Sequence, residues 1–400
     1  MNEETRAFVA AHRMENVRDL ALHAKRGGPV DMPVALDQIA GWQTARVKLP
    51  DWAACDGVIY PPHLSMEQCS SQATARYKAE VARRVTGDDA AANGSLVDLT
   101  GGFGVDCSYM ARVFAHATYV ERQPHLCELA EHNMAALGLR NVAVVNDEAE
   151  RFAGAMDPAT LVFLDPARRD AHGARTYAIA DCTPNVLELI DTLLEKAPHV
   201  MVKLSPMLDW HKTLEDFDGL VHEIHIVSAG DECKELLLVI GRERRTSPRM
   251  VCVDDGSVID YAIDSADTCA PAENAPALAE ARFLYEPNAS IMKAGCFALI
   301  ERRFGVRQIA PNSHLFTSVE PVADFPGRSF AIDAVCTMNK RELRSALEGV
   351  AKANIAVRNF PMPVAALRRK LKLKDGGDTY LFATTSPSGE HLLFRTHKQS

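Results

Sequence analysis

Residues 97–107 read VDLTGGFGVDC, and this stretch decides the fold of the chain around it. A short apolar run ends near Asp98, glycines follow at Gly101, Gly102 and Gly104, and a helical pattern begins directly after them. Glycines at a strand-to-helix turn let the backbone approach a ligand closely, and the amino end of the helix adds a positive dipole. A tight turn in any α/β protein has the same pattern, so the neighbouring strands must decide whether a ligand binds here.

Short apolar runs alternate with helical patterns from residue 95 to residue 240. This alternation predicts an α/β fold built on a mainly parallel, seven-stranded sheet. The last two runs, HEIHIV at 222–227 and ELLLVI at 235–240, are joined by a short polar loop. Because that loop is too short for a crossover helix, we expect the two strands to pair antiparallel at the sheet edge.

Acidic residues stand at the ends of the second and third predicted strands. Glu121 follows the run ATYV, about 20 residues after the glycine turn, where doubly wound sheets present a carboxylate to ribose hydroxyls. Asp147 ends the run VVND, where a carboxylate can accept a hydrogen bond from an adenine amino group. Each could be a solvated loop acid, but together with the glycine turn they favour an adenosyl ligand.

The motif VDLTGGFG, the two strand-end acids and the closing antiparallel pair resemble a class I S-adenosylmethionine-dependent methyltransferase over residues 93–245. A nicotinamide dehydrogenase is the weaker alternative, because those enzymes usually space their glycines as G-x-G-x-x-G and lack the closing hairpin. The resemblance implies a Rossmann-like domain with S-adenosylmethionine as cofactor. The cofactor-binding residues that it implies are Asp98, Thr100, Gly101, Gly102, Gly104, Glu121 and Asp147.

The fourth predicted strand ends in FLDPARRD, residues 163–170. Asp165-Pro166 resembles the (Asn/Asp)-Pro-Pro-aromatic motif of methyltransferases that act on amino groups, although Ala167 replaces the second proline and Arg168 the aromatic residue. The lone pair of a nucleobase amine is drawn into the ring, so an acceptor such as Asp165 is needed to hold its hydrogens and aim the nitrogen. Arg168 and Arg169 are predicted to contact substrate phosphate, or else to be a solvated loop.

A second resemblance points to a different acceptor. Lys78, Asp165, Lys203 and Glu235 stand in the order of the Lys-Asp-Lys-Glu tetrad of ribose 2'-O-methyltransferases. There a lysine with a lowered pKa assists deprotonation of the hydroxyl. Lys203 follows an apolar run and would need an ion partner or a function if it is buried. We therefore keep ribose methylation as an alternative to amino methylation, and Lys203 as a candidate catalytic residue.

The segment before the glycine motif is a candidate lid over the methionine end of the cofactor. Its candidates are Gln68, Ser71, Tyr77 and Lys78, although a helix with exposed polar positions would look the same. Pyrimidine carbon methylation would need a cysteine near the fourth or fifth strand end, and none is present there. Metal catalysis finds little support, because the ten cysteines are scattered singly and His222 and His225 would point to opposite faces of one strand.

Basic residues concentrate near the C-terminus of an otherwise acidic chain. The whole chain has a net charge of -9, whereas residues 340–374 hold ten basic and two acidic residues, so 10 - 2 = +8. A positive segment of this kind is typical of proteins that bind a phosphate backbone, although a solvated helix face is the simpler alternative. Arg368, Arg369 and Lys370 are the candidate contacts.

The run NIAVRNFPMPVAALRRKLKLKDGGDTYLFAT at 354–384 resembles the THUMP-like domain that ends a bacterial family of class I methyltransferases. EPNASIMKAG at 286–295 resembles the ferredoxin-like domain that precedes it, and EQCSSQATARYKAE at 67–80 the helical N-terminal part. The resemblance implies RNA, tRNA or rRNA, as substrate. A non-catalytic RNA-binding protein that keeps the cofactor fold is the competing hypothesis.

The expected division of the chain follows these changes of pattern. We expect a helical domain over 1–92, the methyltransferase domain over 93–245, a ferredoxin-like domain over 246–322 and a THUMP-like domain over 323–400. A linker is expected at 241–250, a loop and short helix at 283–295, and helices over 339–353 and 364–371. With neither a signal peptide nor an apolar run of membrane-spanning length, a cytoplasmic protein is expected.

Overall fold

A computed structural model describes residues 1–23, 28–168, 178–267 and 278–399 and divides the chain into two compact units. The first unit holds Met1–Glu223 and Leu236–Thr246, and the second holds Ile224–Glu235 and the residues from Ser247 onward.

Within the described residues, seven helices precede the first strand. α1 begins where the side chain of Asn2 accepts a hydrogen bond from the Thr5 amide, and α6 begins where Ser71 does the same for Thr74. Trp52 and Met66 share a hydrophobic core with residues of the sheet that follows, so these helices cover one sheet face. They span Glu3–His12 (α1), Val17–His23 (α2), Met32–Lys48 (α3), Pro50–Ala53 (α4), His63–Gln68 (α5), Gln72–Thr86 (α6) and Ala90–Asn93 (α7).

Strands and helices then alternate as the sequence predicts. The strands Leu161–Leu164 and His199–Leu204 are almost wholly buried, as expected for central parallel strands, which explains their continuous apolar runs. The elements are Ser95–Asp98 (β1), Val105–Met110 (α8), His116–Glu121 (β2), Pro124–Ala136 (α9), Val142–Asn146 (β3), Ala149–Ala155 (α10), Leu161–Leu164 (β4), Ala167–Arg168 (β5), Cys182–Thr183 (β6), Val186–Lys196 (α11), His199–Leu204 (β7), Trp210–Asp216 (α12), Val221–Ala229 (β8), Glu232–Gly241 (β9), Arg249–Asp254 (β10) and Ser257–Ala262 (β11).

The sheet has the strand order β11-β10-β8-β9-β7-β4-β1-β2-β3. Strands β3, β2, β1, β4 and β7 are parallel, and β9 pairs antiparallel with β7. The predicted α/β architecture is therefore confirmed. The predicted number of seven strands and the predicted edge position of the β8–β9 hairpin are wrong, because residues 249–262 form two further strands beyond β8 and the sheet has nine strands. The predicted linker accordingly ends before Arg249.

The second unit contains a separate seven-stranded sheet of order β13-β14-β12-β15-β18-β17-β16. Hydrophobic clusters that include Phe330 and Leu367 pack against its strands. The remaining elements are Ile263–Asp267 (α13), Phe283–Pro287 (β12), Ala289–Ala294 (α14), Phe297–Phe304 (α15), Arg307–Gln308 (β13), Phe316–Ser318 (β14), Gly327–Thr337 (β15), Lys340–Ala346 (α16), Asn354–Val357 (β16), Val364–Leu371 (α17), Thr379–Thr385 (β17) and His391–Lys398 (β18).

Two predicted elements of the second unit differ from the structure. The segment interpreted as a loop at 283–287 is strand β12, which pairs with β14 and β15. Helix α16 ends at Ala346 instead of residue 353, because Gly349 takes a positive φ of 75° and turns the chain away. The helix over 364–371 is confirmed, and it is followed by an antiparallel pair formed by β17 and β18.

Candidate functional site

A cleft of about 260 Å³ opens at the carboxyl ends of β1, β2, β3 and β4, where ligands of doubly wound sheets bind. The structure brings all seven predicted cofactor residues and the candidate catalytic aspartate together in its lining. These residues are Asp98, Thr100, Gly101, Gly102, Gly104, Glu121, Asp147 and Asp165.

The glycine turn is shaped by its own packing. A Cβ at Gly101 would lie 2.1 Å from the ring of Tyr119, and one at Gly104 would lie 2.8 Å from Met134. Gly102 and Gly104 also have positive φ angles of 55° and 87°. The turn therefore needs glycine for its own geometry, and in that geometry its backbone forms one wall of the cleft.

Glu121 connects the second strand to the glycine turn. One carboxylate oxygen accepts a hydrogen bond from the Gly102 amide at 3.0 Å, and the other accepts one from the Gln123 amide at 2.9 Å. The side chain is buried and fixed, yet each oxygen keeps a lone pair for a further donor. Such a preorganised carboxylate suits a vicinal diol.

Asp147 follows β3, and one of its two carboxylate oxygens already accepts hydrogen bonds from neighbouring residues. Its Oδ1 accepts hydrogen bonds from the Glu148 amide at 2.6 Å and from the guanidinium of Arg151. Among the described residues, no donor reaches Oδ2, and this oxygen is the one that an amino group could use.

Asp98 is buried at the end of β1, and its Oδ1 accepts a hydrogen bond from the Thr100 amide at 3.0 Å. Burial raises the pKa of this carboxyl well above its usual value, and the nearby carboxylates of Asp106, Asp165 and Glu121 raise it further. Its environment thus favours a neutral carboxyl that shapes the turn.

Asp165 is held from two sides at the end of β4. Its amide donates to the hydroxyl of Thr100 at 2.6 Å, and the Nζ of Lys203 on β7 donates to its Oδ2 at 2.5 Å. The side chain of Lys203 is only 16% exposed, and its ion pair with Asp165 compensates for the burial of a lysine on a central strand. Pro166 is buried directly after Asp165.

Lys78 takes part in a buried network beneath the cleft. Its Nζ lies 3.2 Å from Oδ1 of Asp106 and donates to the hydroxyl of Ser70, which in turn donates to Asp106 Oδ2 at 2.8 Å. Lys78 is fully buried and therefore does not form part of the cleft surface. Of the tetrad residues, Glu235 is also buried, one position before Leu236, which pairs with Leu204 of β7.

The segment before α6 lines the cleft, but through partly different residues from those expected. Gln68 contributes as predicted, whereas Ser71 caps α6. Ser65, Cys69 and Ser70 also contribute, and the sequence reasoning missed them. The only signal was their adjacency to Gln68.

Cys69 is a thiol in the cleft wall that could be mistaken for a nucleophile. Burial raises its pKa to about 11, although Lys48 and Lys203 act in the opposite direction. The thiolate is the nucleophilic form, so this environment disfavours covalent attack on a pyrimidine.

The predicted phosphate contacts are only partly free on the surface. Arg368 donates to the carbonyl oxygens of Ala353 at 2.8 Å and Lys374 at 3.1 Å and pairs with Asp375 at 2.6 Å, so its main contacts are within the domain. Arg369 and Lys370 are exposed on α17. Arg168 lies in β5, and Arg169 lies outside the described residues.

Neither a metal site nor a membrane helix is found in the described part of the chain. No group of three or more His, Cys, Asp or Glu side chains there is placed to hold a metal ion. None of the helices described combines the length and apolarity that crossing a bilayer requires.

Two domain families match the C-terminal part of the chain. The model of a ferredoxin-like domain matches residues 283–326, and that of a THUMP domain-like family matches residues 327–398. No curated protein matches the chain.

Among solved structures, a Porphyromonas gingivalis W83 protein provisionally named a methyltransferase is 28% identical over 100% of both chains, with a TM-score of 0.84. Two further matches have TM-scores too low to add to the assignment. One is an rRNA methylase of Streptococcus thermophilus (13% identity, 42% of this chain and 96% of that one, TM-score 0.31). The other is a provisionally named methyltransferase of Streptococcus mutans in complex with SAH (13% identity, 38% and 89%, TM-score 0.29).

The full-length structural match, the residues that line the cleft and the domain match at the C-terminus are consistent with one another. By fold and domain content, the chain is similar over its full length to a protein provisionally named a methyltransferase, and its residues 327–398 match a THUMP domain-like family.

Proposed function

We propose that the protein methylates RNA, tRNA or rRNA, at an exocyclic amino group of a base. The observation that carries the choice of acceptor is Asp165, an aspartate followed by proline at the end of β4, fixed by Thr100 and Lys203 and lining the cleft. The THUMP-like domain and the exposed basic residues of the C-terminal segment support RNA as the substrate.

The residues of the cleft fit S-adenosylmethionine. Glu121 would hold the ribose hydroxyls with its remaining lone pairs, Asp147 Oδ2 would accept from the adenine amino group, and the glycine turn would lie along the adenosyl moiety. When bound, this cofactor supplies a methyl group on a positively charged sulfur. The carboxylates of the cleft also suit a cationic ligand electrostatically.

Asp165 orients the acceptor in this proposal. Lys203 holds Oδ2, and Oδ1 accepts a hydrogen from the substrate amino group, which fixes the direction of the nitrogen lone pair. Bound S-adenosylmethionine would supply its methyl group to this nitrogen, and its sulfur would keep the electron pair of the carbon–sulfur bond. The methylated nitrogen then loses a proton, for which Asp165 is an acceptor.

Ribose 2'-O methylation remains the second candidate, because Lys203 contacts Asp165 as that tetrad requires. Nucleoside mass spectrometry of tRNA and rRNA from cells with and without the protein separates the two, since fragmentation distinguishes a methyl group on the base from one on the ribose. A base-methylated nucleoside that disappears without the protein supports amino methylation. A ribose-methylated nucleoside would replace that proposal by the alternative, and no missing nucleoside would favour the non-catalytic RNA-binding hypothesis.

The cofactor assignment is tested by calorimetry with S-adenosylmethionine. We expect Glu121→Ala to weaken binding by about 10- to 100-fold, because the loss of charged hydrogen bonds costs about 1.5–3 kcal/mol. Glu128→Ala, an exposed glutamate on α9, is the matched control and should bind as the native protein does. Unchanged binding by Glu121→Ala would remove this residue from the ribose site.

The role of Asp165 is tested by single-turnover methyl transfer to the RNA that the nucleoside mass spectrometry identifies. Asp165→Asn should reduce the rate by about 10²- to 10⁴-fold, the usual range for a positioned acid–base group, with little change in cofactor affinity. A variant that still turns over at the native rate would show that Asp165 does not position the acceptor.

A further inference from the structure

We propose that Arg328 and Arg358, joined by Glu286 in the second unit, form a binding site for one phosphate group of the RNA. This inference rests on the proposed RNA substrate and gives the substrate a specific contact outside the cleft. The site uses none of the cleft residues and neither of the exposed cations on α17.

Glu286 is the centre of the cluster and is only 3% exposed. It lies on β12 directly opposite Arg328 of β15, whose Nε donates to Oε2 at 3.0 Å. Arg358 follows β16, and its Nη2 donates to Oε1 at 2.6 Å, although three strands separate β12 from β16 in the sheet order. Each carboxylate oxygen thus holds one arginine, and residues distant in sequence meet at one point.

The cluster of Glu286, Arg328 and Arg358 has a net positive charge. One carboxylate faces two guanidinium groups, so the net charge of the three side chains is 2 - 1 = +1. The arginine side chains remain 42% and 38% exposed. Each guanidinium has five donors, and in the described structure Arg328 uses Nε and Nη2 alone. The Nε of Arg358 is buried and has no partner there.

The remaining N–H donors of Arg328 and Arg358 suit a phosphate group better than a carboxylate-rich partner. An isolated surface ion pair would leave these donors unexplained. Two planar guanidinium groups held around one anchor can give parallel N–H bonds to phosphate oxygens. A half-exposed ion pair contributes little to stability, and a single arginine would already neutralise Glu286. The second arginine is therefore better explained by a ligand that carries negative charge.

The arginines are also ordered before any ligand arrives. Gly327, next to Arg328, lies so close to β12 that a Cβ there would be 2.1 Å from the carbonyl oxygen of Glu286. The guanidinium of Arg328 lies 5.8 Å from the ring centroid of Phe330. Prior ordering lowers the entropy cost of binding. His314 lies near Arg358 but adds no charge at neutral pH, because burial and Arg358 lower its pKa.

The test measures binding of the full chain to fluorescently labelled bulk bacterial tRNA without cofactor, and to inorganic phosphate by calorimetry. Arg328→Lys and Arg358→Lys keep a cation for Glu286 but lose the fork, so both should fold and bind tRNA about 3- to 10-fold more weakly. Arg328→Ala should also lower the slope of log K against log salt by about 0.7, the value for one phosphate contact on a single strand. Arg302→Ala, an exposed arginine on α15, is the matched control.

Weaker binding of both probes by the lysine variants, with Arg302→Ala unchanged, would support the site. Folded variants with native tRNA affinity and salt slope would overturn it and leave the cluster a structural ion pair. Phosphate binding without any tRNA binding by the native protein would overturn the RNA assignment of this site and of the proposed function together. Native tRNA binding without methyl transfer would count against the proposed catalysis alone and leave this site standing.

Discussion

At the scale of single residues, titratable side chains are buried at and beneath the cleft. Lys78 and Asp106 form an ion pair beneath it, and Asp98 is buried at the end of β1. Breaking a buried pair costs about 3–5 kcal/mol because one charge stays unpaired. Within the described part of the chain no cation is hydrogen-bonded to Asp98, and burial raises its pKa well above the usual value. Its protonation state is therefore linked to folding.

The sign of this linkage gives a prediction for Asp98→Asn. A carboxyl whose pKa is raised in the folded state stabilises the fold below its unfolded pKa, near 3.8, and loses that contribution as the pH rises through the folded pKa. Asparagine keeps the acceptor for the Thr100 amide but does not ionise. The melting temperature of the variant minus that of the native protein should therefore grow as the pH rises from about 4 to 8.

The measurement is a series of thermal melts across this pH range. The control is Asp157→Asn, which changes an exposed aspartate after α10 and should melt in parallel with the native protein. Parallel melting curves for Asp98→Asn would show that Asp98 does not titrate differently in the folded and unfolded states.

At the scale of elements, α17 separates three basic residues that are adjacent in sequence. Leu367 faces the core, and Arg368 next to it turns back to the carbonyl oxygens of Ala353 and Lys374. Arg369 and Lys370 occupy the exposed side. A charge count along the chain cannot make this distinction, because helical rotation of 100° per residue decides which of the three meets solvent.

Substitutions on α17 should therefore have different effects. Arg368→Ala should lower the stability of the protein by about 1 kcal/mol, because the carbonyl oxygens of Ala353 and Lys374 each lose a charged hydrogen-bond donor. Arg369→Ala with Lys370→Ala should leave stability unchanged and weaken tRNA binding several-fold at low salt. Denaturant unfolding and tRNA titrations measure the two effects, and equal stability losses for both variants would contradict the assignment.

At the scale of the whole molecule, every strand of the second sheet comes from the C-terminal part of the chain. All seven strands, β12 to β18, lie between Phe283 and Lys398, and the clusters packed on them come from the same segment. The ferredoxin-like and THUMP-like matches meet between β14 and β15, within one continuous sheet. The two matched regions therefore share their hydrogen bonding.

A fragment of residues 278–400 should consequently unfold as one cooperative unit in a thermal melt followed by circular dichroism. A fragment that begins at residue 327 is the matched control. It lacks β12, so β15 loses a hydrogen-bonded neighbour and Arg328 loses Glu286, and we expect no cooperative transition. Cooperative unfolding of the shorter fragment would show that the THUMP-like region is stable alone.

The elements predicted correctly are those with a strong local pattern. The fourth predicted strand is a continuous apolar run that ends at Asp165-Pro166, the helix over 364–371 has a clear helical period, and both are present as predicted. Helix α16 was predicted too long because its apolar pattern continues past Gly349. Strands β10 to β12 were missed, because runs of five or six residues resemble loops until a neighbouring strand supplies their hydrogen bonds.

The sequence by itself determined the glycine turn, the order of strands and helices around it and the acids at the strand ends, because these depend on local backbone preference and on the rule that parallel strands end at one edge. Only the tertiary structure decided which charges meet. Lys203 reaches Asp165, Lys78 turns to Asp106, and Arg328 and Arg358 share Glu286. Side-chain partners follow from distances in space that spacing along the chain does not fix, since each pair joins separate elements across a packed core.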